Sequence, residues 1–294
     1  MFRRIELHNH TTESDGKMTP QELARFAVRH GFGAMALTDH NTTSGIAKLR
    51  AAIRQENIPL DLVPGTELTT YYGHILCLGV TVPIPWEDVD PSCADILFRR
   101  AHELGGCVGI AHAFALPRPI SNGCAWAMRI RDISQLDFIE IVNEGSRRDD
   151  PCMRAFAWWK SLVLAGARVA ATSGLDLHAD HDIAGCFTTW FEADGAGSVT
   201  GQLKRAIAGR RTAVTRGPLL VAERIGASIR CRVAAEGPEP SGPLLAVVET
   251  PGGRAARLWA EPAVPFEIDD ATGGPTVVSF YRDGALLAVA PPLP

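Results

Sequence analysis

Two histidines one residue apart open the chemistry of this chain: Ile5-Glu6-Leu7-His8-Asn9-His10 runs into Thr11-Thr12-Glu13-Ser14-Asp15-Gly16. If residues 3–8 form a strand, His8 and His10 project to one side, because strand side chains alternate with a period of two. Asp15, just before a glycine that can turn the chain, brings a carboxylate within reach of the same region. Two imidazoles and a carboxylate meeting at one point are the beginning of a metal site.

Matching parts recur at the ends of later elements. They are His40 in Thr38-Asp39-His40, Glu67 in Gly65-Thr66-Glu67, His74 in Tyr72-Gly73-His74, His112 in Ile110-Ala111-His112, and the pair Asp176 and His178 in Gly174-Leu175-Asp176-Leu177-His178. Each follows a short apolar or small-residue run that reads as a buried strand. One histidine at a strand end is ordinarily a satisfied structural residue. Six of the nine histidines at such ends, with three carboxylates, point to shared chemistry. Imidazoles and carboxylates without thiolates suit Zn²⁺, Mn²⁺ or Fe²⁺ better than a soft metal. So many ligands exceed the needs of one ion, which implies a cluster, with Glu67 as the natural bridge because a carboxylate has two oxygens. His30, before Gly31, reads as a helix C-terminal cation, and His102 as a surface or half-buried residue without a chemical role.

The elements that must position these groups alternate. Thr19-Pro20-Gln21-Glu22 is a helix start, with Leu23, Phe26 and Ala27 as its apolar face. Strands are expected at 33–38, 60–64, 107–111, 138–142, 168–172 and 188–191, and helices at 44–54, 93–104, 152–165 and 199–208. Residues 71–80 read as an excursion carrying His74. Strand, helix and strand in repetition are the signature of a parallel sheet. Parallel-barrel enzymes place their ligands at strand C-terminal ends, where all of these candidates fall. From about Leu219 the pattern turns to β-rich segments at 227–233, 244–249, 256–260, 277–281 and 285–289, with Arg282-Asp283-Gly284 as a hairpin turn. The domain boundary is placed near residue 218, giving 1–218 and 219–294.

Composition bounds the partners. With 294 residues, a net charge of −4 and a pI near 6.1, the chain fits one barrel-sized domain plus an appendage and has no basic footprint for a nucleic-acid duplex or an anionic membrane. A small-molecule anion remains open, because net charge says nothing about one pocket. Oligomeric state is left open. The seven cysteines are scattered without a CxxC pair and read as free thiols, mainly small apolar packing groups. The opening Met1-Phe2-Arg3-Arg4 reads as the lead-in to a strand rather than a signal peptide, and no apolar run approaches the roughly 18 residues of a membrane span. A reducing, cytoplasmic setting is expected.

Taken together, His8-x-His10, Asp15, Thr38-Asp39-His40, Gly65-Thr66-Glu67, His74, His112 and Asp176-x-His178 resemble the PHP (polymerase and histidinol phosphatase) superfamily. The resemblance implies a distorted seven-stranded β/α barrel carrying two or three divalent ions (Zn, Mn or Fe) and hydrolysing phosphoesters. It implies one ion at His8, His10, Glu67 and Asp176, a second at Glu67, His74 and His112, and a third at Asp15, His40 and His178. Asp15 stands where some members have a histidine, which makes the third position harder and richer in oxygen. Arg211-Thr212-Ala213-Val214-Thr215-Arg216-Gly217-Pro218-Leu219 and the β-rich tail further resemble the carbamate-hydrolase-like branch. The expected activity is hydrolysis of a small-molecule phosphate mono- or diester by a hydroxide bridging two ions, with catalytic roles for Glu67, Asp176 and His178. The alternatives are a metal-dependent carbamate or ester hydrolase and a non-catalytic metal-binding module. Arg118, Arg147, Arg148 and Arg216 are candidates for gripping the substrate phosphate. Asp39 and His181 are candidates for orienting the ligands.

Overall fold

The computed structural model describes residues 1–116, 124–145, 147–148, 150, 153–269 and 273–294. Its first part comprises β1 (Phe2–Glu6), α1 (Pro20–Arg29), β2 (Ala34–Leu37), α2 (Ser44–Gln55), β3 (Asp61–Thr70), β4 (Gly73–Leu78), α3 (Asp95–Glu103) and β5 (Cys107–Ile110). Then follow β6 (Phe138–Asn143), α4 (Arg154–Leu164), β7 (Ala170–Gly174), β8 (Thr188–Glu192), α5 (Val199–Ala208) and β9 (Thr212–Thr215). The β-rich remainder holds β10 (Leu220–Ile225), β11 (Ser228–Val233), β12 (Leu244–Thr250), β13 (Gly253–Trp259), β14 (Phe266–Asp269), β15 (Val277–Arg282) and β16 (Ala285–Val289).

Local chemistry accounts for the start of α1. Thr19 accepts from the Glu22 amide while the Glu22 side chain returns to the Thr19 amide, a capping box that satisfies donors the first turn leaves open. Leu23, Ala24, Phe26 and Ala27 form the buried stripe of α1 and pack with Leu49 of α2 and Met35 of β2. Further along the same face of the sheet Phe98, Trp159 and Val163 join Ile110, Ile139 and Ala171, while Ile5, Ala36, Val63, Leu76 and Phe138 pack together on the opposite face. Burial of these two faces holds the strand ends at fixed positions.

The sheet departs from the parallel barrel expected from the alternation of elements. β1–β2, β2–β3, β5–β6 and β6–β7 are parallel, but β3–β4, β4–β5, β1–β8 and β8–β9 are antiparallel. Residues 71–80 are therefore no excursion: β4 sits within the sheet, returned from β3 by a tight hairpin. Gly73 makes that turn with φ of 138°, and a Cβ there would lie 2.6 Å from the Trp126 ring. The described strands form one open thirteen-stranded mixed sheet, in the order β13-β12-β15-β16-β9-β8-β1-β2-β3-β4-β5-β6-β7, rather than a closed seven-stranded barrel. The reason is that β8 occupies the edge of β1 that closure would need. Past the ends of β1 and β7 the chain meets again only at an isolated parallel bridge, Asn9 to Leu177. β7 otherwise reaches β8 and β9 through hydroxyls: Thr189 Oγ1 accepts from the Ser173 amide (2.8 Å) and Thr212 Oγ1 donates to Ala171 O (2.7 Å).

Beyond residue 218, β16 pairs antiparallel with β9, so β12, β13, β15 and β16 lengthen the same sheet. β10, β11 and β14 form a second, three-stranded sheet over it, with Trp259, Phe280, Ile229 and Leu220 between. The Arg282-Asp283-Gly284 turn has positive φ at Asp283 (50°) and Gly284 (78°), as the hairpin reading requires. Six cysteines are free thiols among the described residues; Cys152 lies outside them.

Candidate metal centre

The bridge past β1 sets the first two imidazoles. His10 N donates to Leu177 O (2.9 Å) and Leu177 N to His8 O (3.2 Å), which holds residues 8–10 extended. Asn9 turns away and ties to β2 through Ala36 O (2.9 Å), leaving His8 and His10 on one side with ring centroids 5.1 Å apart. Asp39 organises the turn that carries Asp15, accepting from Thr11 N (2.6 Å) and Ser14 Oγ (2.8 Å). His40 follows β2 and bridges to Glu67 of β3. On β4, His74 is two residues from the register partner of Glu67, Leu76, and so shares its face. His112 and Asp176 lie past β5 and β7 with positive φ (27° and 53°), backbone strain of the kind that concentrates at functional sites.

All nine residues singled out by type and spacing meet here, and Glu67 is the hub. Its Oε1 lies 3.0 Å from His74 Nδ1 and 3.0 Å from His112 Nε2; its Oε2 lies 2.9 Å from His40 Nδ1, 3.3 Å from His8 Nε2 and 3.4 Å from His10 Nε2. Asp176 Oδ1 gathers His10 Nε2 (3.3 Å), His178 Nδ1 (3.4 Å) and His8 Nε2 (3.5 Å). Asp15 Oδ1 faces His178 Nε2 (3.3 Å) and His40 Nε2 (3.5 Å). The site grades from a buried floor to an open rim: the side chains of His8, His10 and Glu67 are fully buried, while that of Asp15 is 58% exposed.

Charge is concentrated on that floor. Burial alone would raise Glu67, yet His8, His74 and the other imidazoles hold it well below the ordinary carboxylate range. Conversely, burial opposes protonation of His8, but Glu140, Glu67 and Asp176 keep it well above its ordinary value. His40, held by Asp15 and Glu67 against its own burial, is raised to about 10. Burial lowers His10 and His74, which favours the neutral imidazole a metal binds. His8 Nε2, both nitrogens of His10 and Glu67 Oε2 lack a hydrogen-bond partner although buried. Such atoms are costly unless something binds them. An all-nitrogen-and-oxygen donor set with orphaned, inward-facing atoms fits divalent cations. Four groupings have ligand atoms within 4.8 Å of one another: His8, His10 and Glu67; His40, Glu67 and His74; His8, His112 and Asp176; and His10, Asp15, His40 and His178.

Several supporting groups carry no histidine signature and escaped the spacing argument. Glu140 Oε1 lies 2.9 Å from His8 Nδ1, and its Oε2 accepts from Asn143 Nδ2 (3.0 Å) and His112 N (3.1 Å). Glu6 accepts from the amides of His8 and Leu175 (2.9 Å each), and burial raises it to about 8. Gly174 makes room for this contact: a Cβ there would lie 2.0 Å from Glu140 Oε1 and 2.7 Å from the Cβ of His8. The available signal was a carboxylate inside an apolar run (Phe138-Ile139-Glu140-Ile141-Val142), and Glu6 in phase with His8. Thr69 Oγ1 contacts His40 Nδ1 in the same way.

A cavity of about 740 Å³ opens above the cluster, with Asp15, His40, His74, Asp176 and His178 on its floor. Of the four arginines, Arg118 lies outside the described residues. Arg147, paired with Glu144 (3.0 Å), and Arg216, over the Phe187 ring, line a different cavity of about 610 Å³ between α4 and the β15–β16 hairpin. Arg148 is exposed. His181 is exposed, its Nδ1 2.9 Å from Ala179 O, and contributes nothing to the cluster. His102 pairs with Asp137 (2.8 Å), and His30 packs on Phe26 at the end of α1, both away from the cluster.

Residues 6–113 match the PHP domain family. That match takes in His8, His10, Asp15, His40, Glu67, His74 and His112 of the cluster. Over 84 residues it is 40% identical to the 5'-3' exoribonuclease Rnm of Escherichia coli K12, covering 27% of this chain and 29% of that protein. Over 160 residues it is 29% identical to a 3',5'-nucleoside bisphosphate phosphatase of Chromobacterium violaceum, covering 49% of this chain and 51% of the relative. The chain thus spans about half or less of these relatives' length. Its fold is similar to that of a two-domain protein containing a predicted PHP-like metal-dependent phosphoesterase from Bacteroides vulgatus ATCC 8482, with a TM-score of 0.56, 17% identity, and 99% and 92% of the two chains covered. Among the described residues no helix is long and apolar enough to cross a membrane.

Proposed function

We propose that this PHP protein is a metal-dependent phosphoesterase acting on a small-molecule phosphate mono- or diester. The observation that carries the reading is Glu67, fully buried and within 3.4 Å of five imidazoles, with one oxygen lacking a hydrogen-bond partner. Relatives named as a nucleoside bisphosphate phosphatase, an exoribonuclease and a phosphoribosyl cyclic phosphate diphosphodiesterase support phosphoester chemistry.

Zinc, manganese or iron would be held on the floor by His8, His10, Glu67, His74, His112 and Asp176, with a third ion at Asp15, His40 and His178. When bound, such ions supply Lewis-acid charge and acidify water near neutrality. The chain's own contribution is orientation. Glu140 fixes the His8 ring, so that its Nε2 faces Glu67 and Asp176. Asp176 gathers three imidazoles, and His178 at the rim is placed to meet substrate. We assign this work to residues 1–218, with 219–294 as an accessory β-rich unit.

One observation favours attack at carbon instead, as in a carbamate or ester: no Arg or Lys lines the cluster cavity among the described residues. Protein purified without chelator decides both matters. At least two transition-metal equivalents per chain, with phosphate released from simple phosphoesters, are expected. Protein unable to take up Mn²⁺ or Zn²⁺ overturns the metal centre, and turnover of carbamates alone transfers the site to the second reading.

A further inference from the structure

Above the cluster, the cavity wall carries two aromatic rings: Trp86, packed by one side against the apolar core, and Tyr71, whose exposure neither metal binding nor core packing explains. Tyr71 sits at the tip of the β3–β4 hairpin, three residues before His74, with 74% of its surface exposed. Trp86 faces it from the following loop, half-buried, with ring centroids 6.3 Å apart and planes inclined at 59°. Both line the same cavity as Asp15, His74 and His178. An exposed tyrosine gains nothing for folding, since its ring stays in water.

Both supports are rigid. Thr70 Oγ1 donates to Gly73 O (2.8 Å) and accepts from Tyr72 N (3.0 Å), and Ala127 N donates to Tyr72 O (2.8 Å), so the hairpin tip is pinned. The Trp86 loop is pinned by Arg100, which donates to Pro85 O (2.6 Å) and pairs with Asp88 (2.7 Å). Rings at this separation and tilt form an open corner rather than a closed sandwich. A planar group laid on one face meets the other ring edge-on, the two arrangements aromatic groups prefer.

Resting on the phosphoesterase reading, we propose that Tyr71 and Trp86 form a ring-binding subsite that selects substrates with a planar aromatic group, aryl or nucleobase, next to the scissile bond. The reacting group lies over the imidazole floor while the ring leaves water for the corner.

The test uses metal-loaded full-length protein and two non-hydrolysable ligands that share one head group, phenylphosphonate and methylphosphonate. Phenylphosphonate should bind roughly ten-fold more tightly and quench tryptophan fluorescence. Tyr71→Ala should remove most of that advantage without changing metal content or methylphosphonate binding, Tyr71→Phe should retain it, and Trp86→Leu should abolish the quench. Because Tyr71 is exposed, its variants report binding rather than folding. Adenosine monophosphate against phenyl phosphate then separates a nucleobase from a simple aryl group. Equal affinity for the two phosphonates, or an advantage that survives Tyr71→Ala, overturns the subsite. If neither phosphonate binds, the phosphoester reading fails, and phenyl carbamate against methyl carbamate puts the same question to the corner, with the same outcomes deciding it.

Discussion

At the cluster, five imidazoles crowd one buried carboxylate, four polar atoms of His8, His10 and Glu67 lack partners, and two residues carry strained backbone. In the strands beyond residue 218, where the three-stranded sheet packs on the extended one, the interior is Leu220, Ile229, Trp259 and Phe280, and ladder registers run unbroken from β12 into β13 and β15. The first region holds groups that folding alone would discard, and the second is what apolar burial builds when nothing else is asked of it. Coupled titratable groups at strand ends are therefore tolerated because the surrounding sheet is over-determined elsewhere.

The contrast breaks most visibly at Glu67. Glu67→Ala should cost at least two metal equivalents by elemental analysis and essentially all hydrolytic activity, without rescue by added metal, since Asp176 reaches only His8 and His10 of the five imidazoles and Asp15 only His40. A variant that keeps full metal and turnover would remove Glu67 from the centre. In the other region, Phe280→Ala should destabilise the fold by about 3–5 kcal/mol in denaturant unfolding while metal stoichiometry in the folded protein stays unchanged. Loss of metal in that variant would show the two regions to be coupled.

Smaller effects sharpen the picture. Glu140→Gln keeps the shape beside His8 but removes a charge, and metal affinity measured by competition with a chelator should fall roughly 10- to 100-fold. Unchanged affinity would make Glu140 a packing residue. Asp15→Ala, at the exposed rim, should lose one metal equivalent and spare the others. Excess Mn²⁺ should restore part of its activity by mass action, because His40 and His178 remain. Asp15 would be only a turn residue before Gly16 if the variant kept every ion and wild-type kcat/KM.

Much of the fold was readable because its signals are local. The Thr19 capping box, the apolar stripes of the helices and the hairpin at Asp283-Gly284 act over a few residues, and they appear where the pattern puts them. β4 is not legible from its own residues, because the hairpin that returns it into the sheet is a pairing outcome, with Glu67 opposite Leu76. The arginines were equally opaque. A guanidinium near a strand end carries no sign of which cavity it faces, and Arg147 and Arg216 turn toward α4 and the β15–β16 hairpin.

The sequence by itself determined the kinds of groups and their phase: His8 and His10 on one side of a strand, acids and imidazoles at element ends, donors of nitrogen and oxygen without sulfur. Tertiary structure alone decided that they meet, that Glu67 is the hub, that Glu140 steadies His8 from 132 residues away, and that β8 takes the edge of β1 and leaves the sheet open. The physical reason is range. Side-chain phase follows from backbone geometry within a few residues, whereas convergence depends on which strands pair and on which polar atoms burial leaves without water.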